Sequence, residues 1–342
     1  MLSKLRDILA LAVEKNVSDI YMTSNQRIFF RVDGEMFPVS DNKPSETEVR
    51  EFLKLIIEDK QRTILETERA VDFSYTFNGR RFRGNAYFQR RRLAMVLRLL
   101  SDKLFTVEEI GLGRAFDELL KLRHGLILVT GKVGSGKTTS IATFLETINK
   151  ERGAHIITLE DPIEYIYEPN KCFISQREYG ADFFDFAEGL RNALREMPDV
   201  ILVGEIRDRK TLRTAIAAAE TGILVLGTLH TKNVKETALR IEGMFDESER
   251  ESIRSEFAEV FAAIISQELL PKEGGGRIPL VEVMFETPAA KNLIKQGKYA
   301  QLESVVLSGG AKGMETKAGA LNRLFQEGKI SRKTFLSVKE GL

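Results

Sequence analysis

The sequence predicts an α/β chain. A core with a parallel sheet is preceded by a smaller α+β domain and followed by a mostly helical C-terminal region. Three observations carry that prediction. Four short, continuous apolar runs (125–131, GLILVTG; 155–161, HIITLED; 199–205, DVILVGE; 223–230, ILVLGTLH) alternate with helical segments near 137–150, 184–197 and 208–220. Apolar strands alternating with helices indicate a parallel sheet buried on both faces. The first run leads directly into a glycine-rich loop, Gly131-Lys-Val-Gly-Ser-Gly-Lys137-Thr138. Finally, 342 residues amount to two domains at roughly 150 residues each.

Taken in order, the N-terminus MLSKLRDILALAVEKNVSD reads as an amphipathic helix. Its apolar stretch Ile8–Val13 is too short for a secretory signal and adjoins Glu14 and Lys15. Residues 19–23 (DIYMT) and 27–32 (RIFFRV) read as short strands, and residues 46–68 as helix. The runs 70–77 (AVDFSYTF), 81–89 (RFRGNAYFQ) and 93–100 (LAMVLRLL) resemble antiparallel strands, with turn chemistry at Asn78–Gly79. The expected division is an α+β domain over 1–100, a linker over 101–113, the α/β core over 114–270 and a mostly helical region over 271–342. After residue 246 the pattern is mostly helical. Ile253, Phe257, Val260, Phe261, Ile264 and Ile265 fall at helix spacing, and further helices are expected near 288–297 and 314–340. The exception is 277–285 (RIPLVEVMF), which reads as a strand.

Composition narrows the function classes. Apolar residues make up 43% of the chain and 51 Lys plus Arg face 50 Asp plus Glu, a net charge of +1. A disordered chain would be poorer in apolar residues and more one-sided in charge. The balance also argues against an overall electrostatic footprint for nucleic acid or anionic membrane. The single cysteine, Cys172, makes no internal disulfide, and His124, His155 and His230 are too scattered to build a structural zinc site with it. No apolar run approaches the roughly 18 residues of a membrane span. A soluble cytoplasmic protein is expected.

The loop GKVGSGKT is a complete G-x-x-x-x-G-K-T motif in the context that gives it meaning, after an apolar strand and before a helix. Glycines allow the backbone to curl with its N–H groups inward, and the helix N-terminus adds partial positive charge. Lys137 is placed to reach the β- and γ-phosphates, and Thr138 to offer a hydroxyl to Mg²⁺. The candidate nucleotide-binding set is Gly131, Val133, Gly134, Ser135, Gly136, Lys137, Thr138 and Thr139.

Ligands of open α/β sheets bind beyond the carboxyl ends of the strands, and polar residues collect there in this chain. Glu205 ends an apolar strand and suits the metal side of the site together with Thr138. Glu164, just past Pro162, is the candidate general base for an attacking water. His230, at the end of the fourth run, is a candidate contact for the γ-phosphate. Asp161 reads equally well as a helix or turn cap.

The segments GKVGSGKTTS, ITLEDPIEY, LRNALREMPDVILVGEIRD and AAAETGILVLGTLHT together resemble the phosphate loop, aspartate box, Walker B strand and histidine box of the secretion ATPases. Within them the chain is similar to the type IV pilus retraction ATPases (the PilT-like group), from NVSDIYM to the helices after GMET. The resemblance implies a PAS-like N-terminal domain, a RecA-like core and a homo-hexameric ring that hydrolyses ATP to ADP with Mg²⁺. It implies work at the cytoplasmic face of the inner membrane through a pilus platform protein, without zinc or nucleic acid. It also implies that N-terminal arginines bind or sense the γ-phosphate, which points to Arg83 and Arg98, with Arg81 as a third candidate. Arg90–Arg92 reads as an exposed edge or interface run.

Three positions depart from the family pattern. Ile223 stands where the histidine box has its first histidine, and Tyr21 replaces an N-terminal histidine. Residues 289–296 keep an apolar helix face while exchanging Arg and Glu for Lys and Gln. The alternatives are an assembly or type II secretion ATPase, a DNA translocase, and an accessory nucleotide-binding regulator of a principal retraction motor. The assembly relatives usually carry a longer N-terminal region and a four-cysteine zinc module. The DNA translocase is disfavoured by the neutral charge.

Overall fold

The computed structural model describes residues 2–32, 34–39, 41, 43–100 and 104–341. The chain divides into two compact units, Met1–Lys103 and Leu104–Leu342.

The first unit contains α1 (Leu2–Glu14), β1 (Asp19–Thr23), β2 (Phe29–Val32), β3 (Glu35–Pro38), α2 (Glu46–Ile56), α3 (Asp59–Glu68), β4 (Ala70–Phe77), β5 (Arg80–Gln89) and β6 (Arg92–Leu99). The strands form one antiparallel sheet in the order β3-β2-β1-β6-β5-β4. Alternation in β4 turns Val71 and Phe73 inward, where they join Phe82, Met95 and Leu97 with Leu9, Phe52 and Leu65 of the helices. Asn78 and Gly79 both have positive φ (48° and 74°), as a two-residue hairpin turn requires. The turn from β5 to β6 is built the same way from Arg90 and Arg91 (φ 48° and 64°), so the Arg90–Arg92 run is an exposed hairpin tip.

The single helix expected over 46–68 is two helices. Ile57 and Glu58 are extended, and the Glu58 N–H donates to Gln61 Oε1 (2.9 Å) where α3 begins. The Ser45 hydroxyl and the Glu48 carboxylate cap the start of α2 reciprocally.

The second unit contains α4 (Arg114–Lys121), β7 (Gly125–Thr130), α5 (Lys137–Glu151), β8 (His155–Glu160), β9 (Phe173–Glu178), α6 (Phe186–Ala193), β10 (Val200–Val203), α7 (Arg209–Glu220), β11 (Leu224–Leu229), α8 (Val234–Gly243), α9 (Arg250–Val260), β12 (Phe261–Pro271), β13 (Arg277–Phe285), α10 (Pro288–Lys295), α11 (Leu302–Ser308), α12 (Lys317–Gln326) and α13 (Arg332–Lys339). The sheet order is β13-β12-β7-β11-β10-β8-β9, parallel except for the β12–β13 hairpin. β7, β10 and β11 are buried along their whole length, as expected for strands covered by helices on both faces. This is the RecA-like core, with the C-terminal helices after it and the smaller α+β unit before it.

Three expectations are corrected. The helix through Ile265 ends at Val260, and Phe261, Ile264 and Ile265 lie in β12. The run FAAII (261–265) is continuously apolar, so helix spacing and a strand buried on both faces fit it equally. Residue 270, the expected end of the core, falls inside β12, and β13 extends the same sheet to Phe285. Of the expected linker 101–113, Ser101, Asp102 and Lys103 lie outside the described residues. From Leu104 the chain belongs to the second unit, with Ile110 and Leu112 buried in its core. Among the described residues, no helix is long and apolar enough to cross a membrane.

Candidate functional site

β7 delivers the chain into the glycine-rich loop, and α5 begins at Lys137. The loop is pressed against β12. A Cβ on Gly131 would lie 2.3 Å from the Gln267 carbonyl oxygen, and one on Gly136 2.7 Å from Gln267 Nε2. Both glycines have positive φ (149° and 86°), so close approach and backbone conformation each demand glycine there. Gln267 is almost wholly buried, and its Oε1 accepts the Ser140 hydroxyl (2.8 Å). It thereby joins β12 to the first turn of α5.

Lys137 is 9% exposed, and its Nζ donates to the carbonyls of Gly131 (2.8 Å) and Lys132 (3.0 Å). Burial pushes its pKa down, while the charges of Glu205 and Glu164 oppose that shift. Both expected carboxylates therefore act on the loop lysine. A cavity of about 490 Å³ opens beside it, lined by Gly134 to Ser140 and by Glu164. Val133 is 89% exposed at the outer side of the loop.

The strand ends beside the loop carry a connected polar network. Glu205 follows β10, and Arg207 donates to its Oε2 (2.8 Å), so hydrogen bonding from Arg207 holds the Glu205 carboxyl below the usual range. His230 places Nε2 3.1 Å from Glu205 Oε1 and Nδ1 3.3 Å from the Gly131 carbonyl. His230 thus links the loop to the end of β10. Asp161 lies 3.5 Å from Arg207, so it is part of this network and not the first residue of a helix.

Glu160, at the end of β8, is buried. Its Oε1 accepts the Thr158 hydroxyl (2.6 Å) and Gln176 Nε2 (3.3 Å), and the Glu164 N–H donates to its carboxyl. Burial outweighs these bonds and raises its pKa to about 7. A carboxyl raised in the folded state contributes stability that is complete below its unfolded pKa and lost as pH rises through the folded one. Glu160→Gln, which copies the neutral form, is therefore expected to raise unfolding stability by about 3 kcal/mol at pH 8 and to change little at pH 4. Denaturant unfolding at the two pH values measures this; the same difference at both would refute it.

Arg83 and Arg98 belong to the first unit. They face one another across β5 and β6, both exposed, and Arg98 Nε donates to Asp19 Oδ1 (2.9 Å). Arg81 is turned to β4, donating to Ser74 Oγ (2.8 Å) and Thr76 Oγ1 (3.3 Å). Ile223 packs against the core of the second unit. In the altered segment 289–296, Ala290 and Ile294 of α10 are buried, Lys291 pairs with Glu286 (2.7 Å) and Lys295 pairs with Glu259. Among the described residues, no group of three or more His, Cys, Asp or Glu side chains is arranged to hold a metal ion.

Part of the cavity was not expected from the sequence. Phe105, Glu109 and Ile110 line it from the segment read as a linker, and Gln267, Leu269, Arg277 and Pro279 from the β12–β13 hairpin. No motif marks these positions. Their common signal is membership of the hairpin and of the segment entering the second unit, which only the fold brings together.

The type II/IV secretion system protein model matches residues 2–276. The chain is 41% identical to the type IV pilus retraction ATPase PilT of Pseudomonas aeruginosa over 96% of its own length and 95% of that protein's. It is 41% identical to the twitching motility protein of Neisseria gonorrhoeae, over 88% of this chain and 81% of that one. Among solved structures, it superimposes on the pilus retraction motor PilT with bound ADP at a TM-score of 0.90. That match has 39% identity and covers 97% of this chain and 96% of the other.

Proposed function

The chain belongs to the type II/IV secretion system protein family, and from that premise we propose that it is a Mg²⁺-dependent ATP hydrolase that powers type IV pilus retraction, and with it twitching motility, as a homo-hexameric motor. One observation carries this reading. Lys137, Thr138 and Glu164 line one cavity in a chain that aligns from end to end with a retraction ATPase.

The site suits its reactants. Thr138 offers a hydroxyl and Glu205 an ionised carboxylate, hard oxygen donors of the kind Mg²⁺ takes. Thr138 and Glu205 would hold Mg²⁺, which would supply positive charge against that of the phosphates. The loop N–H groups and the α5 N-terminus cradle phosphate, and Lys137 transfers its hydrogen bonds from the loop carbonyls to phosphate oxygens. Glu164 takes the proton of the attacking water. His230 carries contact at the loop to Glu205. Arg83 and Arg98 carry guanidinium forks of the kind that binds phosphate oxygens bidentately.

On this reading the protein works at the cytoplasmic face of the inner membrane through a pilus platform protein. Deletion in the source organism, scored for surface pili and twitching, tests it. Excess pili with lost motility is the expected result. Absent pili would replace retraction by assembly, and unchanged piliation would remove the motor role.

A further inference from the structure

Residues 161–169, which carry Glu164, form no helix and no strand. The general base therefore stands on a segment without a backbone ladder, and its position has to come from elsewhere. Side chains of the two neighbouring strands supply it. Gln176 of β9 donates from Nε2 to the Tyr165 carbonyl (2.7 Å), and its Oε1 accepts the Tyr167 N–H (3.0 Å). The same Nε2 reaches Glu160 Oε1 (3.3 Å), the carboxyl that accepts the Glu164 N–H. Glu178, two residues along β9, accepts the Ile163 N–H (3.1 Å). The Tyr165 hydroxyl meets Thr139 Oγ1 of α5 (3.2 Å), one residue beyond the proposed metal-side hydroxyl.

We propose that Gln176 is a positioning residue for hydrolysis, holding the 163–167 segment between β9 and α5 so that the Glu164 carboxylate is presented to the attacking water. The proposal rests on the reading of Glu164 as general base. The chemistry of the contacts explains why an amide stands here. One end must donate to a carbonyl and a carboxyl, and the other must accept an N–H, which neither a carboxylate nor an apolar side chain does. Gln176 lies outside the residues that line the nucleotide cavity, so its loss acts on placement and not on affinity. A displacement of about 1 Å in a reacting group costs up to about 10²-fold in rate.

The test compares Gln176→Leu, Glu164→Gln and the double variant in the full-length protein, measuring steady-state ATP turnover and ADP affinity. In Gln176→Leu, kcat is expected to fall about 10- to 100-fold with ADP affinity kept within about threefold, which also shows the variant to be folded. Residues that act as a unit are non-additive, so the double variant should be no slower than Glu164→Gln alone. Should Gln176→Leu fail to bind ADP, Gln176→Glu, equal in length but without the donor, carries the same readouts. An unchanged kcat, or a loss in the double variant that multiplies the two single losses, would overturn the positioning role. If Glu164→Gln itself turns over normally, the general-base reading falls first, and that result is distinguishable from a failure of Gln176 alone.

Discussion

Glu164→Gln is expected to lower ATP turnover by about 10²- to 10⁴-fold, the range that a positioned general base contributes, and to leave ADP affinity within a few-fold of wild type. Gln has the shape of Glu but accepts no proton at neutral pH. Binding survives because the phosphate cradle is made by the loop, Lys137 and the start of α5, none of which depends on Glu164 for its geometry. One electrostatic change accompanies the substitution. Glu164 is one of two carboxylates that raise the pKa of Lys137 against its burial, and Glu205 remains to do so in the variant. Lys137 therefore keeps an anionic neighbour, and turnover falls through chemistry and not through loss of the loop cation. Steady-state kinetics beside equilibrium ADP binding separate the two effects. A variant that turns over at the wild-type rate would move the base elsewhere, with Glu160 the next carboxyl to examine.

What the sequence made visible follows a physical division. The loop, Glu205, His230 and Glu164 each sit at or just beyond the end of an apolar strand, and the topology of a parallel sheet collects strand ends at one edge. Short-range pattern therefore sufficed to place them. Gln176, Gln267 and Arg277 escaped because their roles arise from strand adjacency. β9 is partly exposed along its length without alternation, so no period betrays it. β12 begins within a run that fits helix spacing, so the pattern does not reveal the strand that presses Gln267 onto the loop. The two-residue turn at Asn78–Gly79 was readable from its residue types, whereas the same geometry at Arg90–Arg91 was not, because arginine seldom adopts positive φ. The stretch 101–113 reads as a linker for its polarity and its two glycines, Gly111 and Gly113. Its buried Ile110 and Leu112 make it, from Leu104 onward, part of the second unit, and Phe105 and Ile110 bring it to the cavity wall.

Lys137→Ala should weaken nucleotide binding about tenfold or more as well as abolish turnover, and the reason lies in what the ammonium touches. Its hydrogen bonds run to the carbonyls of Gly131 and Lys132, the same loop whose N–H groups face phosphate. Exchanging those carbonyls for phosphate oxygens turns two neutral acceptors into charged ones, so the ammonium adds direct charge pairing to its hydrogen bonds. Removing the lysine forfeits that gain and takes away the loop ammonium that faces Glu164 and Glu205, while Glu205 keeps its pairing with Arg207. At about 1.5–3 kcal/mol for a hydrogen bond to a charged group, affinity for ADP falls by at least about tenfold. The protein without nucleotide should behave differently, because burial disfavours the charged lysine and its removal relieves a desolvation cost. The expected outcome is an unfolding midpoint that does not fall without ligand, combined with loss of at least about half of the stabilisation that ADP gives the wild type. That stabilisation amounts to about 2.7 kcal/mol at a ligand concentration 100 times Kd. Thermal unfolding with and without ADP measures both effects at once. A full ADP-dependent shift in Lys137→Ala would show that the loop binds phosphate through its backbone alone, and the lysine would then have to act only in the transition state.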